Sequence, residues 1–434
     1  MPATATSCCR RRSGWRRRWL RRQAETDTDN PKRISPTVLP SRSPADRSAR
    51  TAASISAGVT ILRSETTTIA SPVRSPDASL ATRRGTGPRR SVGPAAEATS
   101  QGRRHSLRYL GSKVSVAEMV LDEIYRRCPG GSLCDPCGGI GTIATAARRR
   151  GFRVYGGDLL HCAVAFQTAR LIHAPAFTGL RTKGLADRHA VEQHLRMLPG
   201  VDGWIVDEYA TARAFFAPEN ARRIEACRQC IEGWAAAGLV TRRELCVLRA
   251  SLIASADHVA NTAGTYYAHL KQLSRQARRS FELKLLPVGS GPAGTSARRD
   301  ATIRAAERAY DVLYLDPPYN ARSYSGYYHL PESLARGETP PVRGKAGVPD
   351  RESVLSAFNA PRRATAALEH IVTRSDCGMI VFHYTNDGFI SLATARGILG
   401  QVGKVSERVV TAPGYTVRRS EPRRTPHHLL MVNV

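Results

Sequence analysis

The chain has 434 residues, with 65 Lys and Arg against 36 Asp and Glu and a net charge of +29; that length can hold a large core or two to three domains. Residues 1–105 carry 21 basic and 7 acidic side chains, and the remainder 44 against 29. The excess therefore persists along the chain and favours a polyanionic partner such as nucleic acid. No run of about 18 apolar residues occurs, so no membrane span is expected. The basic cluster Arg10 to Arg22 lacks a following apolar stretch, so no secretory signal is expected either. Ten scattered cysteines in apolar or helical contexts suit the reduced thiols of a cytoplasmic protein better than a disulfide framework.

Residues 1–105 are rich in Arg, Ser, Thr, Ala and Pro without sustained periodicity, and cannot offset the entropy of ordering; a disordered basic tail is expected. Its Arg11 to Arg22 cluster, with Trp15 and Trp19, reads as a solvated charge run before it reads as a nucleic-acid-binding arm. Order begins at Leu107-Arg108-Tyr109-Leu110-Gly111-Ser112-Lys113. Ser112 is expected to N-cap an amphipathic helix with Val116, Met119, Val120 and Ile124 on one face.

Gly131 to Thr142 reads as strand, glycine-rich turn and helix start, with Gly138, Gly139 and Gly141 letting the backbone approach a ligand. A second strand from Phe152 leads to Asp158, 23 residues beyond Asp135. In a βαβ unit an acid at that place binds ribose hydroxyls. The missing GxGxxG favours a phosphate-free nucleoside such as S-adenosylmethionine over a dinucleotide. Cys134/Cys137 and Cys227/Cys230 lie far apart in sequence, the second pair on a helix, so no metal site is expected.

From about 185 to 290 the pattern is helical. Pro218-Glu219 opens a helix burying Ile224, Cys227, Ile231 and Trp234, with Gly238 as its stop, and Thr241-x-x-Glu244 is a capping box for the next. Tyr266, Tyr267, Lys271, Arg275, Arg278, Arg279 and Lys284 then interleave aromatics with bases, a pattern that suits a phosphate clamp or a solvated basic helix face. Gly289 to Arg299 is poor in β-formers.

Val312 to Leu315 has the composition of a buried parallel strand, ended by Pro317 and Pro318. Asp316 is left at the strand's carboxyl end, where ligands bind in open α/β sheets. The Asp316 carboxylate and the Pro317 carbonyl offer two acceptors to one NH₂ group, and Tyr319 offers a flat face for a nucleobase. Arg322 and Tyr324 follow. Residues 336–351 are expected to form a mobile loop near the same edge. Gly378 to Phe382 reads as a further buried strand leading to His383, expected to be structural, and Leu429 to Val434 as a last strand.

Taken together, these segments resemble the adenine-specific DNA methyltransferases, the family that includes bacterial DNA adenine methylases, from Leu107 to Val434. Arg108 to Lys113 is similar to the family's N-terminal cofactor motif, Asp135 to Gly141 to its cofactor loop, and Asp316-Pro317-Pro318-Tyr319 to its catalytic motif. Phe216 to Asn220, Ala256 to Ala263 and Tyr328 to Glu332 are similar to one subgroup. Cys137 stands where the family usually has phenylalanine.

The resemblance implies an α/β fold, a Rossmann-like S-adenosylmethionine methyltransferase sheet with a mainly helical inserted target-recognition region. The expected divisions are the tail at 1–105, a cofactor-binding half at 106–186, the helical insert at 187–290 and a catalytic half at 291–434. It further implies cofactor contacts from Tyr109, Gly111, Ser112, Lys113, Asp135, Pro136, Cys137, Gly138, Gly139, Gly141, Asp158 and Asp300. Asp316, Pro317, Pro318 and Tyr319 become catalytic, and Lys271, Arg275, Arg278, Arg279, Arg322 and Tyr324 contact DNA. The implied reaction is methyl transfer from S-adenosylmethionine to the N6 amine of a flipped adenine in duplex DNA, with a cognate restriction endonuclease as a possible partner and no metal or membrane. The alternatives are methylation of an RNA base or of a cytosine amine, and a catalytically inactive DNA-binding protein.

Overall fold

A computed structural model describes residues 106–434, apart from 319, 320, 322, 352, 386, 387 and 414–423. The expected N-terminal tail, Tyr319 and Arg322 lie outside the described residues. Nine strands are present among those described: β1 (Gly131–Asp135), β2 (Phe152–Asp158), β3 (Thr295–Arg298), β4 (Tyr310–Leu315), β5 (Val342–Arg343), β6 (Val348–Pro349), β7 (Cys377–Tyr384), β8 (Val405–Pro413) and β9 (Arg424–Asn433). Seven of them form one sheet in the order β3-β2-β1-β4-β7-β9-β8. The first five are parallel; β9 runs antiparallel to β7 and β8 antiparallel to β9.

Alternation along the central strands sends successive side chains to opposite faces. Leu133, Val312, Tyr314, Met379 and Val381 face α1 (Ala117–Arg127) and α2 (Thr142–Arg149). Cys134, Leu313, Leu315, Ile380 and Phe382 belong to the core of the other face. A parallel strand covered on both sides reads as a continuous apolar run, which is why β4 stands out in the sequence. Each fully buried Val, Leu or Ile contributes roughly 1.5–3 kcal/mol.

Between β2 and β3 lie α3 (His161–Leu171), α4 (Arg188–Met197), α5 (Pro218–Ala236) and α6 (Arg242–His258). α5 begins with Pro at its first turn and buries Ile224, Cys227, Ile231 and Trp234. α6 starts with the expected capping box, Thr241 accepting from the Glu244 amide and Glu244 from the Thr241 amide. These helices share one core with Phe166 of α3 and with Tyr328 and Leu330, so the inserted helices are built onto the sheet's flank. α7 (Ala301–Ala306) lies between β3 and β4, and beyond β4 follow α8 (His329–Arg336), α9 (Pro361–Arg374) and α10 (Leu392–Gly400). Among the described residues no helix is long and apolar enough to cross a membrane.

Four expectations need correction. Ser112 caps nothing: α1 begins at Ala117 with no side-chain cap, and Met119 is exposed while Leu121 takes the buried place. The segment after His258 contains no helix; its order comes from buried side chains that grip its backbone. Thr295–Arg298 forms an edge strand despite its composition, because β2 supplies the ladder. Residues 336–351 contain a two-stranded ribbon, β5 with β6, pinned by Tyr209 Oη donating to the Gly347 carbonyl at 2.8 Å and Arg213 Nε to the Gly344 carbonyl at 2.9 Å.

Candidate active site

The chain leaves β1 for β2 on one side and continues beyond β4 to β7 on the other, so a crevice opens at the carboxyl ends of β1 and β4. Asp135 ends β1 and is 1% exposed; its Oδ1 is buried with no hydrogen-bond partner among the described residues. Burial first, then the nearby Asp316 and Asp158 charges, push its carboxyl well above the usual range. The glycine turn follows. Gly139 has φ +50°, and a Cβ there would lie 3.0 Å from Tyr109 Cε1. Gln167, fully buried on α3, donates to the carbonyls of Gly139 at 2.8 Å and Gly157 at 3.3 Å, while its Oε1 accepts from Ser296 of β3. One amide thus fixes the turn, the end of β2 and the edge strand. Asp158 accepts from Gly139 N at 3.0 Å and Leu160 N at 2.9 Å; burial nonetheless raises it to about 6, against those hydrogen bonds.

The opposite wall is tyrosine. Tyr109 stacks on Tyr328 (centroids 4.6 Å, 18°) and on Tyr324 (5.6 Å, 28°), and Tyr328 Oη accepts from Leu110 N at 2.6 Å. Lys113 Nζ donates to the Gly111 carbonyl at 3.0 Å and forms an ion pair with Asp316 Oδ2 at 2.6 Å, with side chains only 8% and 13% exposed. This pair joins the first ordered motif to the last residue before the prolines. Ser112 Oγ bonds Thr142 Oγ1 at 3.0 Å, holding the same motif against the start of α2. Arg108 grips Asp257 of α6 through its backbone N and Nε, both 3.0 Å from Oδ2. Glu332 of α8 accepts from His161 N and Cys162 N at 3.0 Å, capping α3.

One cavity of about 1020 Å³, counting its open mouth, is lined by Tyr109, Gly111, Ser112, Lys113, Asp135, Pro136, Cys137, Gly138, Gly139, Asp158, Asp316, Pro317, Pro318 and Tyr324. Gly141 stands behind it with φ +79° at the start of α2. Asp300 is not on its lining: Oδ1 accepts from Thr302 N at 2.9 Å and caps α7, while Arg299 and Ala301 reach the cavity on either side. Lys271, Arg275, Arg278 and Arg279 are exposed on the irregular segment and do not line it. Sequence reasoning missed Arg299, Ser356 and Asn359 among the lining residues; the reciprocal cap between Ser356 and Asn359 is the one signal that was legible. Gln167, behind the wall, gave none. His383 is fully buried between Tyr314 Oη (2.6 Å) and His427 Nδ1 (2.9 Å), a structural placement.

The cavity suits a cationic, phosphate-free nucleoside. Three acidic side chains, Asp135, Asp158 and Asp316, line it with Lys113 and Arg299; wherever they are ionised they disfavour a pyrophosphate and favour a positive charge. The unpartnered Asp135 Oδ1 is an acceptor for such a ligand. Cys137 lines the wall as a thiol that burial pushes well above its ordinary pKa, which disfavours the thiolate. Among the described residues no group of three His, Cys, Asp or Glu is placed to hold a metal.

A doubly wound sheet with an acidic crevice at its switch point and an acceptor at the neighbouring strand end has the arrangement of a nucleoside-binding α/β enzyme. Residues 109–371 match the D12 class N6 adenine-specific DNA methyltransferase family, and the chain belongs to that family. It is similar to the type II methyltransferase M.NlaIII of Neisseria lactamica, 29% identical over 309 residues, 69% of this chain and 89% of that protein. It is also similar to the modification methylase StsI of Streptococcus sanguinis (26% over 300 residues) and the type II methyltransferase M.FokI of Planomicrobium okeanokoites (24% over 306). These matches cover 68% of this chain in each case, but only 46% and 47% of the two relatives, so the chain spans about half their length. The chain is a DNA methyltransferase of this class.

Proposed function

We propose that the protein transfers a methyl group from S-adenosylmethionine to the N6 amine of adenine within a specific DNA sequence. The observation that carries this reading is that Asp316 and Pro317 line the same cavity as Asp135, Gly139 and Asp158. S-adenosylmethionine, when bound, supplies an electrophilic methyl group on a sulfonium. Asp158 accepts its ribose hydroxyls, Asp135 Oδ1 accepts a further donor, and Tyr109 gives a flat wall.

Asp316 orients the amine. Its Oδ2 is held by Lys113, which fixes the carboxylate's rotation, and the carboxylate with the Pro317 carbonyl accepts from the NH₂. Those bonds turn the nitrogen lone pair out of conjugation and toward the methyl carbon. The amine held by Asp316 and Pro317 would gain the methyl carbon and lose one proton to solvent, while S-adenosylmethionine would keep the electron pair of the bond it gives up. Tyr319 is assigned to stack on the base, and Tyr324 and Arg322 to contact DNA. Adenine N6 is buried in the duplex, so the base is flipped out at a cost of a few kcal/mol. The exposed Lys271, Arg275, Arg278 and Arg279 hold the phosphates.

A cognate restriction endonuclease reading the same sequence belongs to this proposal; protection of methylated DNA against a panel of endonucleases tests it. For the reaction itself, labelled S-adenosylmethionine is incubated with duplex DNA and, separately, RNA. Label in DNA that disappears in Asp316→Ala supports the reading; label in RNA alone, or in neither, refutes it.

A further inference from the structure

The segment from Val259 to Ser290 has no helix or strand, only the isolated bridge between Thr262 and His269, yet it presents four cations in fixed places. Two buried asparagines account for that order. Asn261, fully buried, donates through Nδ2 to the carbonyls of Ala214 at 2.9 Å and Leu270 at 3.0 Å, and its Oδ1 accepts from Ser274 N at 2.9 Å. Asn220, 4% exposed on α5, donates to the carbonyls of Ala277 at 3.2 Å and Arg279 at 2.8 Å and accepts from Phe281 N at 2.8 Å. Each amide thereby uses both donors and its acceptor on backbone groups. One clamp grips the chain at 270 and 274, the other at 277, 279 and 281. Lys271, Arg275, Arg278 and Arg279 are exposed between and beside these grips, and no acidic residue occurs from His258 to Phe281. The segment's start is fastened beside the cavity, since Tyr266 N donates to the Tyr327 carbonyl at 3.0 Å and Tyr324 lines the cavity.

We propose that Asn220 and Asn261 are positioning residues for DNA binding, preorganising an irregular basic loop so that its four cations meet consecutive phosphates beside the target base. The proposal rests on the DNA-methylating reading above. A chain without regular structure loses conformational freedom when it binds, and the clamps remove that loss before DNA arrives. Neither amide touches substrate. Their effect therefore falls on DNA affinity, leaving cofactor affinity and the saturated rate in place.

The test uses the full chain in steady-state methylation of duplex DNA, with cofactor affinity measured by titration and DNA affinity measured against salt. Asn220→Ala and Asn261→Ala are expected to raise KM for DNA about tenfold, with kcat and the cofactor Kd within twofold of wild type. The fourfold variant Lys271→Ala/Arg275→Ala/Arg278→Ala/Arg279→Ala is expected to reduce the slope of log K against log salt by up to about 3.6, at about 0.9 per lost phosphate contact. If an asparagine variant does not fold, Gln276→Ala and Ser274→Ala cut loop bonds from the loop's own side: Gln276 Nε2 donates to the Asp257 carbonyl at 3.0 Å and Ser274 Oγ accepts from Ala277 N at 3.2 Å. These are expected to raise KM about threefold. Unchanged KM for DNA in the folded clamp variants, or a fall in kcat and cofactor affinity equal to the rise in KM, overturns the positioning role. An unchanged salt slope in the fourfold variant overturns the loop's contact with DNA instead. Absence of methylation by the wild type overturns the reading beneath both.

Discussion

Lys113→Met isolates the contact that joins the two halves of the site. It removes the ammonium 2.6 Å from Asp316 Oδ2 while keeping the length and apolar stem of the side chain. Breaking a buried pair by deleting one partner costs about 3–5 kcal/mol, because the other charge stays buried without that partner. Both side chains are more than four-fifths buried, but the cavity mouth admits water, so the lower end applies, about 3 kcal/mol. At about 2–4 °C per kcal/mol for a domain of this size, Tm falls by roughly 6–12 °C. Activity falls further, since a displacement of about 1 Å in a positioning group costs on the order of 10²-fold in rate. The assay is a double-mutant cycle with Asp316→Asn, read by thermal unfolding and by methyl transfer. The double variant is expected to recover about 2 kcal/mol of stability relative to the sum of the single changes, a coupling typical of residues in contact, and to recover no activity. Additive losses of stability, or an active Lys113→Met enzyme, would refute the argument that this pair holds the carboxylate in place.

Three further outcomes follow from the same geometry. Burial raises Asp158 to about 6 without ligand, above an unfolded value near 3.9, so its share of stability is present at low pH and lost as pH rises from about 4 through 6. A ligand that donates to the carboxylate needs it ionised, so affinity for S-adenosylmethionine should tighten as pH rises through about 6, by up to tenfold per unit below it; titration calorimetry in two buffers should show proton release at pH 5.5, and a flat profile would sink the assignment. Gly139→Ala puts a Cβ 3.0 Å from Tyr109 Cε1 on a backbone with φ +50°, which costs about 1–2 kcal/mol in backbone strain alone; Tm should fall by roughly 2–8 °C and cofactor Kd should rise at least tenfold. Thr241→Ala removes the α6 cap, which does not line the cavity; stability should fall by about 1 kcal/mol while kcat and both KM values stay at wild type.

The elements legible in the sequence were those whose physics is local. β1, β2 and β4 announce themselves as short apolar runs ended by Gly or Pro, and α6 by its capping box. Asp135 and Asp316 were legible because a strand end followed by proline leaves one acid in a predictable place, and Asp158 by its offset of 23 residues from Asp135; all three line the cavity. What stayed hidden depends on residues distant in the chain. Ser112 looked like a cap and instead bonds Thr142; Lys113 looked like part of a helix start and instead pairs with Asp316. The tyrosine stack draws on 109, 324 and 328, which no window joins. The basic stretch after His258 is irregular because Asn220 and Asn261 grip its backbone from distant elements, which leaves no local signature, while the alternating burial of Phe281, Leu283 and Leu285 has a period of two and not that of a helix. Asp300 was expected to contact the cofactor; its carboxylate caps the short helix it precedes, and it is not among the residues lining the cavity.

The central claim concerns which atom receives the methyl group, and nucleoside analysis of the methylated product reads it directly. Duplex DNA incubated with the enzyme and S-adenosylmethionine is digested to nucleosides and resolved by mass spectrometry. The account predicts N6-methyldeoxyadenosine, absent with Asp316→Ala and unaccompanied by methylated cytosine. N4-methyldeoxycytidine as the product, or N6-methyldeoxyadenosine formed equally well by Asp316→Ala, would contradict it.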